Sequence, residues 1–172
     1  MRTIVRTAAV LSVLMAATST ILASCSGAVN SELFVHQSPG FTLTVPKWTD
    51  QKNKKPDVVL KRLSGSGPLP EILVVVSDLR AGTTYQDAVS GFQKGLEHQL
   101  GSAVEVLYGR DLTLKDGTPA YEIELRWKYG MWPAHSYIVI VFKDQKSIWV
   151  GVSDKLWIGD GLKQYPLSLK LK

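Results

Sequence analysis

The chain carries three histidines, the first residues to consider for metal binding or acid–base catalysis. His36, His98 and His135 lie in distant segments, and no two of them have the spacing that places two ligands on one helix or one hairpin. None lies beside a group of carboxylates in the sequence. We therefore expect no metal site and ordinary surface or half-buried histidines, although the spacing leaves open whether folding brings them together.

Two glutamates at alternate positions are the second candidate for chemistry. Glu122 and Glu124 point to the same face of a strand, which is an arrangement that could provide paired acids, as in glycosidases. Arg126 and Lys128 continue the same row. The mixed charges favour a charge-balanced face in contact with solvent, so the sequence predicts that these glutamates are not catalytic.

The sequence offers no activated nucleophile. It contains no G-x-S-x-G motif, and Ser66, between Gly65 and Gly67, lies in a turn-forming stretch rather than between a strand and a helix. It also contains no P-loop and no dinucleotide-binding glycine pattern. The sequence thus predicts no catalytic residue and no cofactor, and a hydrolase with dispersed catalytic residues is the least favoured alternative.

The single cysteine, Cys25, excludes an internal disulfide and a cysteine-based zinc or iron–sulfur site. Leu22, Ala23 and Ser24 precede it. This order of an aliphatic residue, two small residues and a cysteine resembles the lipobox of bacterial lipoproteins. The resemblance implies that a diacylglycerol alkylates the Cys25 thiol, that the chain is cleaved before Cys25, and that palmitate or a similar acyl chain anchors the protein to a membrane.

The segment before Cys25 has the order of a secretory signal peptide. Arg2 and Arg6 come first, residues 8–17 are apolar, and small residues follow. The alternative is a transmembrane helix over residues 7–24, which are uncharged but barely reach the length that spans a bilayer. The Ser and Thr content of this segment favours the signal peptide.

These features divide the chain into a cleaved signal peptide (1–24), a lipidated tether (25–32) and one domain (33–172). In lipoproteins of Gram-negative bacteria, an aspartate after the cysteine commonly directs retention at the inner membrane, and this chain has Ser26 there. The resemblance therefore implies the cell envelope, with the periplasmic side of the outer membrane favoured if the cell has one. The formal net charge of +5 is too weak and dispersed to indicate nucleic-acid binding.

Hydrophobic periodicity predicts strands in the first part of the domain, followed by one helix. Three strands are predicted, at 41–45, 57–63 and 72–76. Over residues 83–100, apolar side chains recur every three or four positions, which indicates an amphipathic helix. Thr83 and Gln86 fit a capping box at its start. Gly91 and Gly95 weaken this helix and are expected to let it lie close against the sheet.

After the helix, the alternation of apolar and polar residues has the period of strands. Four strands are predicted, at 103–114, 121–129, 137–142 and 148–152. The first is one long strand or a broken one, with its interruption near Gly109. Asp116 with Gly117 indicates a hairpin turn. Residues 154–164 form a weak helix candidate, and residues 167–171 a short strand or docked tail. The order predicts an α+β fold, with a mainly antiparallel sheet packed by helices.

Three stretches resemble PsbP-like domains. Residues 41–48 (FTLTVPKW) resemble their opening strand, the helix at Thr83 takes the place of their crossover helix, and residues 114–121 (LKDGTPAY) resemble their Asp-Gly turn. The likeness covers most of residues 33–172 and implies an α/β/α sandwich around an antiparallel sheet. This group includes extrinsic photosystem II subunits and bacterial envelope lipoproteins, which mostly bind or stabilise other proteins and are not characteristically enzymes.

Two surface features bear on binding. Residues 47–55 are rich in lysine and contain Trp48, which fits either contact with anionic headgroups or a solvated loop. Tyr129, Met131 and Trp132 lie at a predicted hairpin tip, where apolar residues are unusual. Residues of these types anchor interfaces, and the alternative is that they fold back to cap the core.

The sequence therefore predicts a non-enzymatic, membrane-anchored envelope lipoprotein that binds or stabilises a protein partner. Tyr129, Met131 and Trp132 are the predicted contact site. The alternative is a protein that binds a lipid, glycan or other envelope ligand, which the lysine-rich stretch and Trp48 favour. A large apolar pocket would support that alternative.

Overall fold

The computed structural model describes residues 30–51, 58–63, 69–100 and 104–172, without the side chains of residues 58, 60, 96–100 and 129. The predicted signal peptide, Cys25 and Ser66 lie outside these residues, as does most of the lysine-rich stretch. The elements, in chain order, are β1 (Ser31–Gln37), β2 (Gly40–Pro46), β3 (Thr49–Asp50), β4 (Val58–Arg62), β5 (Glu71–Asp78), α1 (Tyr85–Leu100), β6 (Glu105–Thr113), β7 (Pro119–Tyr129), β8 (Trp132–Lys143), β9 (Lys146–Asp154), α2 (Asp160–Lys163), a 3₁₀ turn (Pro166–Ser168) and β10 (Lys170–Leu171).

Most strands form one large antiparallel sheet, whose order is β3-β4-β5-β9-β8-β7-β6. A small sheet of order β1-β2-β10 and the short C-terminal helices cover one face, and α1 covers the other. Side chains alternate between these two layers along β8, where Val139 joins the core under the small sheet and Ile140 joins the core under α1. This arrangement confirms the predicted α+β fold with an antiparallel sheet packed by helices.

The small sheet contains a strand that the sequence analysis did not predict. Strand β1 pairs with β2 over its whole length, from Ser31 opposite Pro46 to Gln37 opposite Gly40. Leu33 and Val35 are exposed, whereas Phe34 between them packs against the core. Three consecutive apolar residues give no alternation that would identify the strand from sequence. The strand also includes residues 31 and 32, which the sequence analysis assigns to the tether.

The cap of α1 lies one residue later than predicted. The Thr84 hydroxyl oxygen accepts a hydrogen bond from the Asp87 backbone N–H at 3.2 Å, and Asp87 Oδ2 accepts one from the Thr84 N–H at 3.3 Å. Thr83 instead donates its hydroxyl to the Arg80 carbonyl. Because a carboxylate is a stronger acceptor than an amide and is favoured at a helix N-terminus, the box with Asp87 prevails. The hydrogen bonds from Thr84 lower the pKa of Asp87.

The two helical glycines do not serve close packing, contrary to the prediction. A Cβ placed on Gly91 or on Gly95 would meet no atom within 4 Å. We expect Gly91→Ala and Gly95→Ala each to raise the free energy of unfolding by up to about 1 kcal/mol, because alanine restricts the unfolded chain and suits a helix. Urea unfolding of the purified variants measures this change.

Gly109 provides the matched control, because there a Cβ would lie 2.2 Å from the Tyr121 hydroxyl oxygen. We expect Gly109→Ala to lower the free energy of unfolding by about 1–3 kcal/mol. A loss of stability in Gly91→Ala or Gly95→Ala would show that the helix face is packed after all. Of the two predicted alternatives, one long strand or a broken one, the structure has the long strand β6, with a bulge between Val106 and Tyr108.

The first half of β7 is covered on both faces, which corrects the predicted solvent-exposed row at Glu122 and Glu124, whereas Arg126 and Lys128 are exposed as predicted. Ile123 and Leu125 pack under α1, as predicted. On the opposite face Glu122 is only 5% exposed, and the side chain of Glu124 is 14% exposed. The cover comes from the C-terminal segment, which lies on this face and places Lys163 against Glu124.

The C-terminal segment departs from the predicted weak helix over 154–164. Only Asp160–Lys163 is helical, and Tyr165 and Leu169 enter the core beneath the small sheet. The chain then forms β10, which pairs with β2 through Leu171 opposite Phe41. The sequence predicts either a short strand or a docked tail over residues 167–171. The structure has a strand there, limited to residues 170–171.

Candidate functional site

One end of the large sheet carries exposed apolar side chains. This end holds the β7–β8 turn, the end of β9 and the end of β4, as the pairs Arg126–His135, His135–Asp154 and Arg62–Glu71 show. Four large side chains here are 68% to 92% exposed, and we call them the apolar end: Met131 (92%), Trp132 (69%), Leu156 (72%) and Trp157 (68%). Less exposed apolar residues border them: Leu63, Val106 and Leu107.

The β7–β8 hairpin is the part of the apolar end that projects farthest. It continues beyond the Arg126–His135 pair by three further residue pairs, the last of which is Tyr129 with Trp132. Gly130 has φ 61° and supplies the left-handed turn residue. Met131 and Trp132 are exposed and do not fold back over the core. The side chain of Tyr129 lies outside the described residues.

The second part of the apolar end is the loop after β9. Leu156 and Trp157 follow Lys155 in this loop, and a Cβ on Gly159 would lie 3.1 Å from atoms of the Trp157 ring. The indole therefore rests against the backbone of its own loop while most of its surface faces outward. The sequence analysis missed these residues because it assigned them to a weak helix; the only available signal was the adjacent lysine, leucine and tryptophan.

The described chain begins at this same end. The Lys47 N–H donates to the Asn30 carbonyl at 2.7 Å, and Thr49 follows and pairs with Arg62 at the end of β4. Lys61, which is 6% exposed, binds Glu32 at 2.7 Å. Burial lowers the pKa of Lys61, but its hydrogen bonds to acidic partners outweigh this effect, so the pKa is raised. The start of β1 is thus held against the end of β4.

Charges around the apolar end are of two kinds. Lys47, Lys128 and Lys155 are exposed here. Four acidic side chains at this end are in ion pairs with basic ones: Glu32 and Asp50 with Lys61, Glu71 with Arg62, and Glu105 with Arg126. Exposed lysines and ion pairs therefore both lie beside the apolar surface, and Asp154 at the end of β9 adds a carboxylate.

A buried polar cluster lies on the face of the sheet under the C-terminal segment. Glu122 accepts hydrogen bonds from the Tyr137 hydroxyl and from Arg110 Nε. Lys163 Nζ donates to Glu124 Oε2 at 2.6 Å and lies 5.1 Å from the centre of the Tyr137 ring. Each glutamate is thus engaged by residues of its own chain, which fits packing of the C-terminal segment better than paired-acid catalysis.

The pKa shifts in this cluster follow from the same contacts. Burial, together with the hydrogen bond to Glu122, raises the pKa of Tyr137 well above its ordinary value. Burial lowers the pKa of Lys163, but the hydrogen bond to Glu124 outweighs this effect, so the pKa is raised and the ammonium stays charged. At neutral pH neither group is poised to exchange a proton with a substrate.

The histidines do not meet among the described residues. His36 Nδ1 donates to the Pro39 carbonyl at 3.0 Å, and its ring stacks on Phe41 with centroids 4.9 Å apart. His135 pairs with Asp154 across β8 and β9 in the other sheet. The side chain of His98 lies outside the described residues. No group of three potential metal ligands occurs within the described part of the chain.

The structure gives weak support to the alternative of a small-ligand binder, for which the sequence analysis names Trp48 and an apolar pocket. Trp48 is half-buried and packs against the main core, so it does not present a free aromatic face. A cavity of about 310 Å³ lies between α1 and the sheet, bordered by Gly91, Phe92 and Trp149. This volume is at the lower end of the range for small-molecule sites. The Trp149 Nε1 atom is buried and, within the described residues, has no hydrogen-bond partner.

Comparisons by sequence identify no relatives. No family model matches the chain, and no curated protein matches it. Within the described ranges, no helix has the length and apolar character needed to cross a membrane.

Solved structures resemble the chain in fold. The cyanobacterial PsbP protein CyanoP from Synechocystis sp. PCC 6803 is 19% identical, with a TM-score of 0.64 over 88% of this chain and 99% of that protein. A protein from Bacteroides thetaiotaomicron is 8% identical, with a TM-score of 0.53 over 82% of this chain and 48% of that protein. A Pseudomonas aeruginosa protein of unknown function, PA94, is 18% identical, with a TM-score of 0.48 over 74% of this chain and 84% of that one. The similarity to CyanoP confirms that the chain has a PsbP-like fold.

Proposed function

We propose that this chain is a lipid-anchored protein of the bacterial cell envelope, without enzymatic activity, that binds or stabilises a protein partner beside the membrane. Cys25 carries the acyl chains, and a Gram-negative cell holds the protein on the periplasmic side of its outer membrane. The observation that carries a binding role is the apolar end, with side chains up to 92% exposed. Apolar surface of this kind marks interaction sites rather than reaction centres.

The polar residues support the absence of catalysis. Glu122 and Glu124 are bound by Arg110 and Lys163 of the same chain, and their neighbour Tyr137 is 1% exposed. A catalytic acid or base needs access to a substrate atom, and these groups are covered by the C-terminal segment. The PsbP-like fold agrees with a binding role but does not by itself specify one.

The anchor is tested by Cys25→Ser in cells labelled with palmitate. We expect the variant to lose all label and to accumulate as an uncleaved or released form, because serine has no thiol to alkylate. Ser26→Ala is the matched control and should keep the label. Palmitate incorporation that is unchanged in Cys25→Ser would exclude the proposed anchor.

The partner is tested by photo-crosslinking in intact cells, with the reactive residue placed in turn at Met131, Trp132, Arg80 and Asp144. The proposal expects a discrete protein adduct from at least one of these exposed positions. Adducts from Met131 or Trp132 would bear out the prediction that Tyr129, Met131 and Trp132 contact the partner. The absence of protein adducts from all four positions would contradict the binding role.

A further inference from the structure

We infer that the apolar end rests in the interfacial zone of a lipid bilayer, with Met131, Trp132, Leu156 and Trp157 among the headgroups and upper acyl chains. The inference goes beyond the proposed function in naming lipid as the occupant of this surface. It rests on the proposed anchor at Cys25 for the direction in which the domain faces. This assignment replaces the protein contact that the sequence predicts for Met131 and Trp132, and it leaves the remaining surface of the domain for a protein partner.

The first argument is where the described chain begins. Only residues 26–29 separate Cys25 from Asn30, and five residue steps span at most about 18 Å. Asn30 is held by Lys47 at the same end of the sheet as the apolar end. Anchoring at Cys25 therefore brings this end, and no other, to the membrane.

The geometry of the sheet keeps the opposite end away from the bilayer. Strand β8 has 12 residues and at about 3.3 Å per residue is roughly 40 Å long. The β8–β9 turn, with Asp144 and Gln145, lies at its far end. Across the sheet, β4 and β9 are separated by β5 alone, which puts the end of β9 on the order of 10 Å from the strand that holds the chain start. Trp157 follows three residues after that end.

The second argument is the chemistry of the side chains. Tryptophan is the residue most typical of the membrane interface, since its ring is apolar and its N–H remains hydrated. Trp132 and Trp157 are 69% and 68% exposed, and the leucine and methionine beside them add purely apolar surface. The Trp157 ring contacts Gly159, which restricts its movement. Insertion of the ring into the interface therefore costs little conformational entropy.

The third argument is the charge at the border of this surface. Lys47, Lys128 and Lys155 are exposed around the apolar residues, and the acidic side chains of Glu32 and Glu105 are in ion pairs. Exposed lysines beside an apolar surface fit the anionic headgroups of a bilayer. Lipid is favoured over protein as the occupant of the apolar end, because the anchor keeps this end beside the bilayer whether or not a protein partner is bound.

Tryptophan fluorescence of the purified acylated protein tests the inference. The protein is reconstituted into vesicles of phosphatidylcholine and phosphatidylglycerol whose acyl chains carry bromine near the headgroup, which quenches nearby indoles. We expect strong quenching in the wild type. The variant Trp132→Phe with Trp157→Phe should lose at least about two thirds of it, because the other three of the five tryptophans are not part of the apolar end.

Two matched variants make the result specific. Trp149→Phe alters a half-buried indole under α1 and should leave the quenching unchanged. Leu156→Asp should reduce the quenching at least about threefold, because a charge disfavours insertion. Leu33→Asp changes a side chain of similar exposure, 66%, on the edge strand β1, and should reduce it by less than a third.

The outcomes separate this inference from the proposed function. Equal quenching in the wild type and in the double tryptophan variant would overturn the lipid contact. Protein adducts, without lipid adducts, from a photo-reactive residue at Met131 would overturn it as well and assign the apolar end to a protein. Mass spectrometry of Cys25 tests the anchor separately: an unmodified thiol together with persistent quenching would uphold lipid contact and exclude the anchor.

Discussion

Phe41→Ala is expected to lower the free energy of unfolding by about 3–5 kcal/mol, which is the usual cost of emptying a fully buried phenylalanine site. Phe41 is 0% exposed and belongs to the same core cluster as Tyr137 and Leu169. Its ring stacks on His36 and lies 6.0 Å from Phe34. The side chain therefore joins the small sheet to the large one through the core between them.

Urea unfolding of the purified protein measures this loss. Leu33→Ala is the matched control in the same strand pair, since Leu33 is 66% exposed and its truncation should cost less than about 1 kcal/mol. A loss below 1 kcal/mol for Phe41→Ala would show that the small sheet is only loosely attached to the rest of the domain.

Glu122→Ala is the second large effect that we expect, with a loss of about 1–3 kcal/mol. The substitution leaves the Tyr137 hydroxyl, in a residue only 1% exposed, without its acceptor. Arg110 also loses its carboxylate partner, but its side chain is 72% exposed and water replaces most of that interaction. The unpaired hydroxyl therefore dominates the cost.

A double-mutant cycle separates this interaction from general loss of packing. In Tyr137→Phe no hydroxyl remains to be unpaired, so Glu122→Ala should cost at least 1 kcal/mol less in that background. Glu105→Ala removes a glutamate from an exposed ion pair with Arg126, in which the side chains are 61% and 50% exposed, and should change stability by less than about 1 kcal/mol. Additive effects of the Glu122 and Tyr137 substitutions would rule out the proposed coupling.

The elements of the large sheet could be predicted from the sequence where their patterns are self-contained. The apolar run in β8 and the alternation in β7 identify strands without reference to the rest of the chain, and Asp116 with Gly117 specifies the turn before β7. Gly117 does adopt φ 87° there. Local chemistry was sufficient because the periodicity and the turn depend only on neighbouring residues.

The burial of Glu122 and Glu124 could not be predicted, because it depends on residues that are distant in sequence. Glu124 receives its partner Lys163 from a helix 39 residues later, and nothing in the alternation of β7 indicates that a second layer covers this face. The same holds for β1, whose consecutive apolar residues Leu33, Phe34 and Val35 show no alternation. The sequence allows two interpretations of the hairpin tip, an exposed contact site or residues that cap the core. The structure shows that Met131 and Trp132 are exposed.

The pairing of the two termini of the domain has a consequence for biogenesis. The Thr44 N–H donates to the Ser168 hydroxyl at 2.8 Å, 124 residues away, and β2 pairs with the last strand of the chain. The core beneath β2 therefore stays open until the segment that contains Ser168 and β10 has been synthesised. Docking of β2 into the domain is therefore a late step that follows formation of the local hairpins.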